Sequence, residues 1–400
     1  MEFDFLLPVN DLLLAQNELL SPQALGNQID IHTSKSGIPE SVSTAKFAII
    51  AVLENRSDIN YLGENLDLLE VRKALYSLYP GNWNHSIVDL GNLEKGNSVD
   101  DTYAALKRIM EPLLKKNIIP IILGGSQDLM YAMYRSYDNL EQTVNIVNVD
   151  SKFDFGAVSQ VVSNHSYMGK IIVEEPHNLF NYSNIGYQTY FNSQEEIDLM
   201  QKLFFDAYRL GQVSNDISIV EPITRDADIV GIDLSSVKAS EVSGNQNTSP
   251  NGLDGKEICA ISRYAGISDK VSSFGIFEYR NSKDEEITAM LVAQMIWYFI
   301  EGVNYRVKDY PFASKDDYLK YIVPNGREEM IFYKSNKTER WWIEIPFISS
   351  LNNKLKRHTL LPCTHQDYLN ACNQIIPERW WMAYKKSIIG LPILITNTCI

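Results

Sequence analysis

The stretch Val144-Asn145-Ile146-Val147-Asn148-Val149-Asp150-Ser151-Lys152-Phe153-Asp154 sets the reading of this chain. It opens on a short, mostly apolar run of β-branched residues and passes directly into a polar cluster with an aspartate at each end. A run of this length, too short for an average helix, fits a strand buried on both faces. Similar runs recur at 47–53, 87–90, 118–123, 229–234 and 271–277, with helical stretches between them. One of those helices is legible residue by residue. Ser98 can cap it, Asp100 and Asp101 occupy the first turn, and Tyr103, Leu106, Ile109, Met110, Leu113 and Leu114 recur at helical spacing before Lys115 and Lys116. A second amphipathic helix is expected over 284–301. Strands alternating with helices predict right-handed crossovers and an α/β fold, a three-layer αβα sandwich around a mostly parallel sheet.

Outward from this region the texture changes twice. Residues 1–45 are rich in Leu, Ser and Asn and read as an N-terminal extension packed on the main domain, which spans 46–305. Residues 306–400 read as an aromatic-rich C-terminal extension. It holds four of the chain's six tryptophans, as the pairs Trp341-Trp342 and Trp380-Trp381. A β-hairpin is expected there, with Met330 to Tyr333 and Trp341 to Ile345 on either side of Ser335-Asn336-Lys337-Thr338.

Composition excludes several classes. The 400 residues are 45% hydrophobic and 22% charged, the mix of a globular protein with a large core. With 36 Lys and Arg against 50 Asp and Glu, the net charge of −14 weighs against a nucleic-acid partner, which would need a basic face. The opening Met1-Glu2-Phe3-Asp4 is acidic where a secretory signal would be basic. No membrane span is expected, since the apolar tail 388–395 falls short of the roughly 18–20 residues required. Cys259, Cys363, Cys372 and Cys399 are too few for a disulfide framework. A cytoplasmic protein is the expectation.

In open α/β sheets, ligands sit beyond the carboxyl ends of the strands. Three expected strands end there in polar clusters: Gly124-Gly125-Ser126-Gln127-Asp128, Asp150-Ser151-Lys152-Phe153-Asp154 and Asp233-Leu234-Ser235-Ser236. An aspartate after a strand is usually a cap or turn former; three such clusters in one sheet are more specific, because their charges repel unless compensated. In this order they resemble the motifs of the ureohydrolase family, the arginases, agmatinases and formimidoylglutamases. The resemblance covers about 46–304 and takes in Arg72, Ala74 and Leu75, the stretch Ile87-Val88-Asp89-Leu90-Gly91-Asn92, Ile185-Gly186-Tyr187-Gln188, Asn251-Gly252-Leu253 with Glu257, and Phe277-Glu278. It implies an arginase-like fold and hydrolysis of a guanidino or formimino C–N bond by hydroxide bridging two manganese ions.

The departures bear on function. The family's metal ligands run His, Asp, His, Asp, Asp, Asp; the matching positions here are Gln127, Asp150, Lys152, Asp154, Asp233 and Ser235. One metal position keeps the oxygen donors Gln127, Asp150, Asp154 and Asp233, which could hold a single hard ion such as Mg²⁺, Mn²⁺ or Ca²⁺. At the other, Lys152 and Ser235 stand in, and a protonated lysine has no lone pair to give a metal. Lys152 is expected to replace the second ion and to lie within salt-bridge reach of at least two of Asp150, Asp154 and Asp233. By the resemblance His165 and Glu278 are vestigial catalytic-side residues, a loop histidine and the glutamate that pairs with a guanidinium. In structural terms they read instead as a backbone-bonded histidine and a paired strand-end carboxylate.

Other motifs carry less. His358, Cys363, His365 and Cys372 lack zinc-site spacing, and Cys363 with His365 lacks an orienting third group. Gly124-Gly125 reads as a tight turn rather than a phosphate loop. The tryptophan pairs could anchor a partner or pack internally. The leading expectation is a catalytically inactive pseudoenzyme with no manganese pair and at most one weakly bound divalent ion. It would act by binding or scaffolding, through a protein partner or self-association that could use the C-terminal extension. The alternative is an active formimidoylglutamase-like hydrolase. A third reading, a Schiff-base role for Lys152, would need a depressed lysine pKa among carboxylates that raise it.

Overall fold

A computed structural model describes residues 3–156, 161–242, 248–282, 285–310, 315–325, 328–345 and 360–389. In chain order its first strands are β1 (Leu6–Leu7), β2 (Asp30–Ile31), β3 (Phe47–Val52), β4 (Ile87–Leu93), β5 (Ile119–Gly124), β6 (Val144–Val149), β7 (Leu179–Tyr187), β8 (Asp206–Arg209), β9 (Ile229–Asp233) and β10 (Ser273–Phe277). They form one ten-stranded sheet in the order β1-β4-β3-β5-β10-β9-β6-β7-β8, with β2 added beside β4. The pairs along β4-β3-β5-β10-β9-β6-β7-β8 are parallel, and β1 lies antiparallel on β4. Each apolar run read from the sequence is thus a strand, and β3, β5, β6, β9 and β10 are buried along their whole length. Helices cover both faces, as buried parallel strands require.

The helix Val99–Lys115 starts where Ser98 caps it. The Asp101 amide donates to Ser98 Oγ at 3.2 Å, and the Ser98 amide donates to Asp101 Oδ2 at 2.8 Å. The helix Glu285–Asn304 is long and apolar enough for a membrane span by length and composition alone. Its apolarity serves the core. Leu291, Met295 and Phe299 are buried, and Phe299 stacks on Phe274 of β10 at 4.2 Å. It meets the helix Gly255–Ile267 through glycines, since a Cβ at Gly266 would lie 2.2 Å from the Phe299 carbonyl oxygen.

Strand β7 was not among the expected runs. Its sequence LFNYSNIGY carries Asn181, Ser183 and Asn184, opposite Asn145 and Asn148 of β6 and Asp206 of β8. Those polar groups are partnered within the fold: Asn181 and Ser183 donate to Asp206 Oδ2 at 2.7 and 3.1 Å, and Asn184 donates to the Lys152 carbonyl at 2.6 Å. The N-terminal segment does more than lie on the surface, because it supplies β1, β2 and the buried Leu13 and Leu25.

The C-terminal extension forms a second sheet of β11 (Tyr318–Asn325), β12 (Glu328–Ser335), β13 (Trp341–Glu344) and β14 (Leu360–Cys363), all antiparallel. The expected hairpin is β12–β13. Its turn is tied to the incoming chain by Ser335 Oγ donating to Asp309 Oδ1 at 2.6 Å. Trp341, Trp342 and Trp380 are buried, while Trp381 stays 43% exposed beneath Lys385. Most of the aromatic payload is therefore internal packing. Cys363 is buried and its thiol is pushed up by burial, and His365 stacks on Trp341 as its helix begins. Cys259, Cys363 and Cys372 are free thiols; His358 and Cys399 lie outside the described residues.

One side chain fastens the second sheet to the first domain. Arg225 donates to the carbonyls of Trp341 at 2.9 Å and Cys363 at 3.2 Å, and its guanidinium lies 4.7 Å from the Trp342 ring centre. Replacing it with Met leaves two buried carbonyls without donors. Arg225→Met is expected to cost about 2–4 kcal/mol, with early loss of the near-ultraviolet tryptophan signal in a urea titration. A variant as stable as the parent would show that the docking does not depend on this residue.

Candidate functional site

The carboxyl ends of β5, β6, β9 and β10 meet at one place, and each ends in a polar turn. At β5 the chain turns through Gly124-Gly125, where a Cβ on Gly125 would sit 2.2 Å from the Glu54 carbonyl oxygen. This is the tight turn read from the sequence. It delivers Gln127, fully buried, beside β10. The Gln127 amide N–H donates to Glu278 Oε1 at 2.9 Å, and the Glu278 amide returns a bond to the Gly125 carbonyl at 2.6 Å. Two non-glycine residues here hold left-handed backbone, Glu278 at φ 62° and Asp154 at φ 56°. Such conformations cost roughly 1–3 kcal/mol each and persist only where the surroundings over-determine them.

The three aspartates of the cluster are buried. Asp150 Oδ1 accepts the Lys152 amide N–H at 2.8 Å, and Asp233 Oδ1 accepts the Ser235 amide N–H at 2.6 Å. The turns after β6 and β9 thus close in the same way, each first aspartate capping the residue two places on. Asp150 Oδ2 and Asp154 Oδ2 are buried and have no hydrogen-bond donor. Their carboxyl groups lie within hydrogen-bonding reach of each other. Burial, and then the charge of Asp150, raises Asp154 well above the usual carboxylate range; the same two causes push Asp233 up to about 8. Glu278 is also raised well above its ordinary value, by burial first and then by the charges of Asp233 and Asp58. Protons therefore neutralise much of this cluster at neutral pH.

Lys152 departs from the sequence expectation. Among the described residues its ammonium forms no ion pair with Asp150, Asp154 or Asp233. It donates to His165 Nε2 at 2.9 Å. The Lys152 backbone is held by Asp150 and Asn184, and the half-buried side chain runs out to the loop that carries His165. Its charge still acts across the gap, lowering the pKa of each of the three aspartates. Burial and the adjacent ammonium depress His165 to about 4, so its imidazole is neutral and accepts. His165 is thus paired with Lys152 rather than with backbone.

Glu278 accepts from amide groups. Its Oε1 takes the Gln127 amide and Asn164 Nδ2, the latter at 3.2 Å. Asn164 also donates to Asp58 Oδ1 at 3.3 Å, and Asp58 is bound by the Arg280 guanidinium. Asp58, Glu278 and Arg280 line a cavity of about 100 Å³. Asp58, Asn164 and Arg280 were not singled out in the sequence. Only the spacing of Arg280 two residues after Glu278 offered a local signal; Asp58 arrives from a distant loop. Among the described residues, no group of three or more His, Cys, Asp and Glu side chains is arranged to hold a metal ion.

A mostly parallel sheet with a buried carboxylate cluster at its strand ends defines an α/β protein of arginase architecture. The chain belongs to the arginase family, whose model matches residues 60–301. It is 26% identical over 237 residues to the formimidoylglutamase of Geobacillus sp. (strain WCH70), covering 56% of this chain and 72% of that one. To the formimidoylglutamase of Staphylococcus aureus (strain JH9) it is 23% identical over 281 residues, covering 67% and 88%. Among solved structures, formimidoylglutamase from Bacillus subtilis superposes with a TM-score of 0.60 at 16% identity, covering 69% of this chain and 97% of that one. Trypanosoma cruzi formiminoglutamase with Mn²⁺ superposes at 0.58 and 16% identity, covering 67% and 96%.

The protonated cluster gives a signed pH dependence. A carboxyl group titrating near 8 in the fold and near 3.9 unfolded makes the folded state bind more protons, so stability falls as pH rises toward 8. His165, near 4 folded and about 6.5 unfolded, adds stability as pH rises to about 6.5 and nothing further. Between about pH 6.5 and 8 the carboxyl effect stands alone, with a slope of at most about 1.4 kcal/mol per pH unit for each group. In chelator-treated buffer, urea melts should show stability declining over this window, and Asp233→Asn should make the decline shallower. An unchanged slope in the variant would refute the assignment.

Proposed function

We propose that this protein is a formimidoylglutamase-like member of the arginase family that has given up two-metal hydrolysis and acts by binding. The observation that carries the reading is Lys152, whose ammonium donates to His165 Nε2 at 2.9 Å where the family has a histidine metal ligand. A nitrogen engaged as a donor has no lone pair for manganese. Ser235, in place of a carboxylate, offers only a hydroxyl, and Gln127 replaces the remaining histidine with a weaker neutral donor. This set does not fit a manganese pair, and hydroxide activation by two metals is not available from it. The orphaned Asp150 Oδ2 and Asp154 Oδ2, with Asp233 and Gln127 beside them, leave room for at most one weakly held hard ion competing with protons. On this reading the protein is cytoplasmic and works through a protein partner or a second copy of itself. The internal burial of Trp341, Trp342 and Trp380 leaves Trp381 as the aromatic group the extension can offer.

The test is metal analysis of purified protein after manganese loading, alongside an assay for formamide release from formimidoylglutamate. No manganese pair and no turnover are expected. Lys152→His alone should remain inactive, because Gln127 and Ser235 stay as they are. The triple variant Gln127→His, Lys152→His, Ser235→Asp should gain manganese binding, read as a manganese-dependent rise in melting temperature. A manganese pair with turnover in the parent would overturn the proposal in favour of a working hydrolase.

A further inference from the structure

At the opposite end of the sheet from the aspartate cluster, the amino ends of β3, β5, β6, β9 and β10 open on a cavity of about 710 Å³, within the range of small-molecule sites. Its charged groups fall into two sets. The acidic set is fully engaged. Lys270 bridges Asp226 at 3.4 Å and Asp228 at 3.1 Å, with Tyr310 donating to Asp226 Oδ1 and the Asn145 amide to Asp228 Oδ2. Asp269 is bound by the backbone amides of Lys308 at 3.1 Å and Asp309 at 2.6 Å. Glu141 stands exposed at the rim.

The basic set is not engaged. Lys46, immediately before β3, has no hydrogen bond or ion pair at its ammonium among the described residues. Arg306 is half-buried and held in place by two carbonyl oxygens, Gly266 at 2.8 Å and Val271 at 2.9 Å, with no carboxylate in ion-pair contact among the described residues. The two cations face each other's fields. Arg306 and Lys308 lower Lys46 after burial does, and burial brings Arg306 down to about 10. His85 is lowered by burial and then by Lys46 and Arg306, and its Nε2 is buried without a partner. Lys46 and Arg306 thus stand in the wall of this cavity beside apolar Ile118, Leu140 and Phe180, and Asp269 is the carboxylate whose charge acts on Arg306.

We propose that this cavity binds a small organic oxyanion, a phosphate or carboxylate on a partly apolar body, with Lys46 and Arg306 holding the oxyanion. The site is remote from the aspartate cluster and does not depend on whether that cluster binds metal. Lys46 is the group to change, because its ammonium makes no bond that folding needs. Melting temperatures of the full chain would be compared in chloride, inorganic phosphate and succinate at equal ionic strength. Phosphate, succinate or both at about 10 mM should raise the parent's melting temperature by about 2–4 °C over chloride, and the more effective probe identifies the headgroup. Lys46→Ala should melt at or above the parent in chloride, since a repulsion is removed, and should lose at least half of the anion shift. Lys46→Arg should retain it. No shift over chloride in the parent, or a full shift in Lys46→Ala, would overturn the proposal. So would a Lys46→Ala protein that melts well below the parent in chloride, because the ammonium would then have a partner in the fold.

Discussion

Several carboxyl groups buried within reach of one another form the constraint around which this end of the molecule is built. Asp150, Asp154, Asp233 and Glu278 come from three separate strand ends, and no chain rearrangement short of unpairing β6, β9 or β10 would separate them. Such a cluster must be neutralised, by metal, by basic side chains or by protons. Without an ion, protons serve, since burial and mutual charge raise Asp154, Asp233 and Glu278. Backbone amides do the rest. Those of Lys152, Ser235 and Gln127 each cap one carboxylate, so the turns keep their shape without an ion at the centre.

This explains how the scaffold tolerates its substitutions. In a strand-end site the aspartates have two tasks: presenting oxygens to a ligand and terminating the strand through an amide cap. The second does not require the first. A lysine after Asp150 can still supply the capping N–H while its side chain leaves for the loop, where neutral His165 accepts its proton. The ammonium then stays near enough to moderate the aspartates and far enough to avoid the desolvation that a contact ion pair at the centre would require.

What the sequence disclosed, and what it withheld, follows from the same division between backbone and side chain. Strands β3, β5, β6, β9 and β10 were legible because burial on both faces leaves short, mostly apolar runs, and Ser98 with Asp101 marked a helix start by local chemistry alone. β7 was hidden because its inward polar residues are answered by Asp206 and by the Lys152 carbonyl, partners far away in sequence. The aspartates could be placed at strand ends, but the direction of Lys152 could not. It is decided by a long side chain choosing between nearby carboxyls and a histidine thirteen residues on. Asp58, Asn164 and Arg280 escaped notice because each matters only through contacts made by the folded chain.

The two ends of the sheet present opposite electrostatic problems. At the carboxyl ends, acids crowd together, and without an ion the excess is absorbed by protons because carboxyl pKa values can rise to meet neutral pH. At the amino ends, Lys46 and Arg306 share a cavity wall with no carboxylate in ion-pair contact among the described residues, and the same remedy is closed. An arginine lowered only to about 10 keeps its proton at neutral pH. Acid excess can thus be settled inside the chain, whereas guanidinium excess calls for a counter-ion from solution.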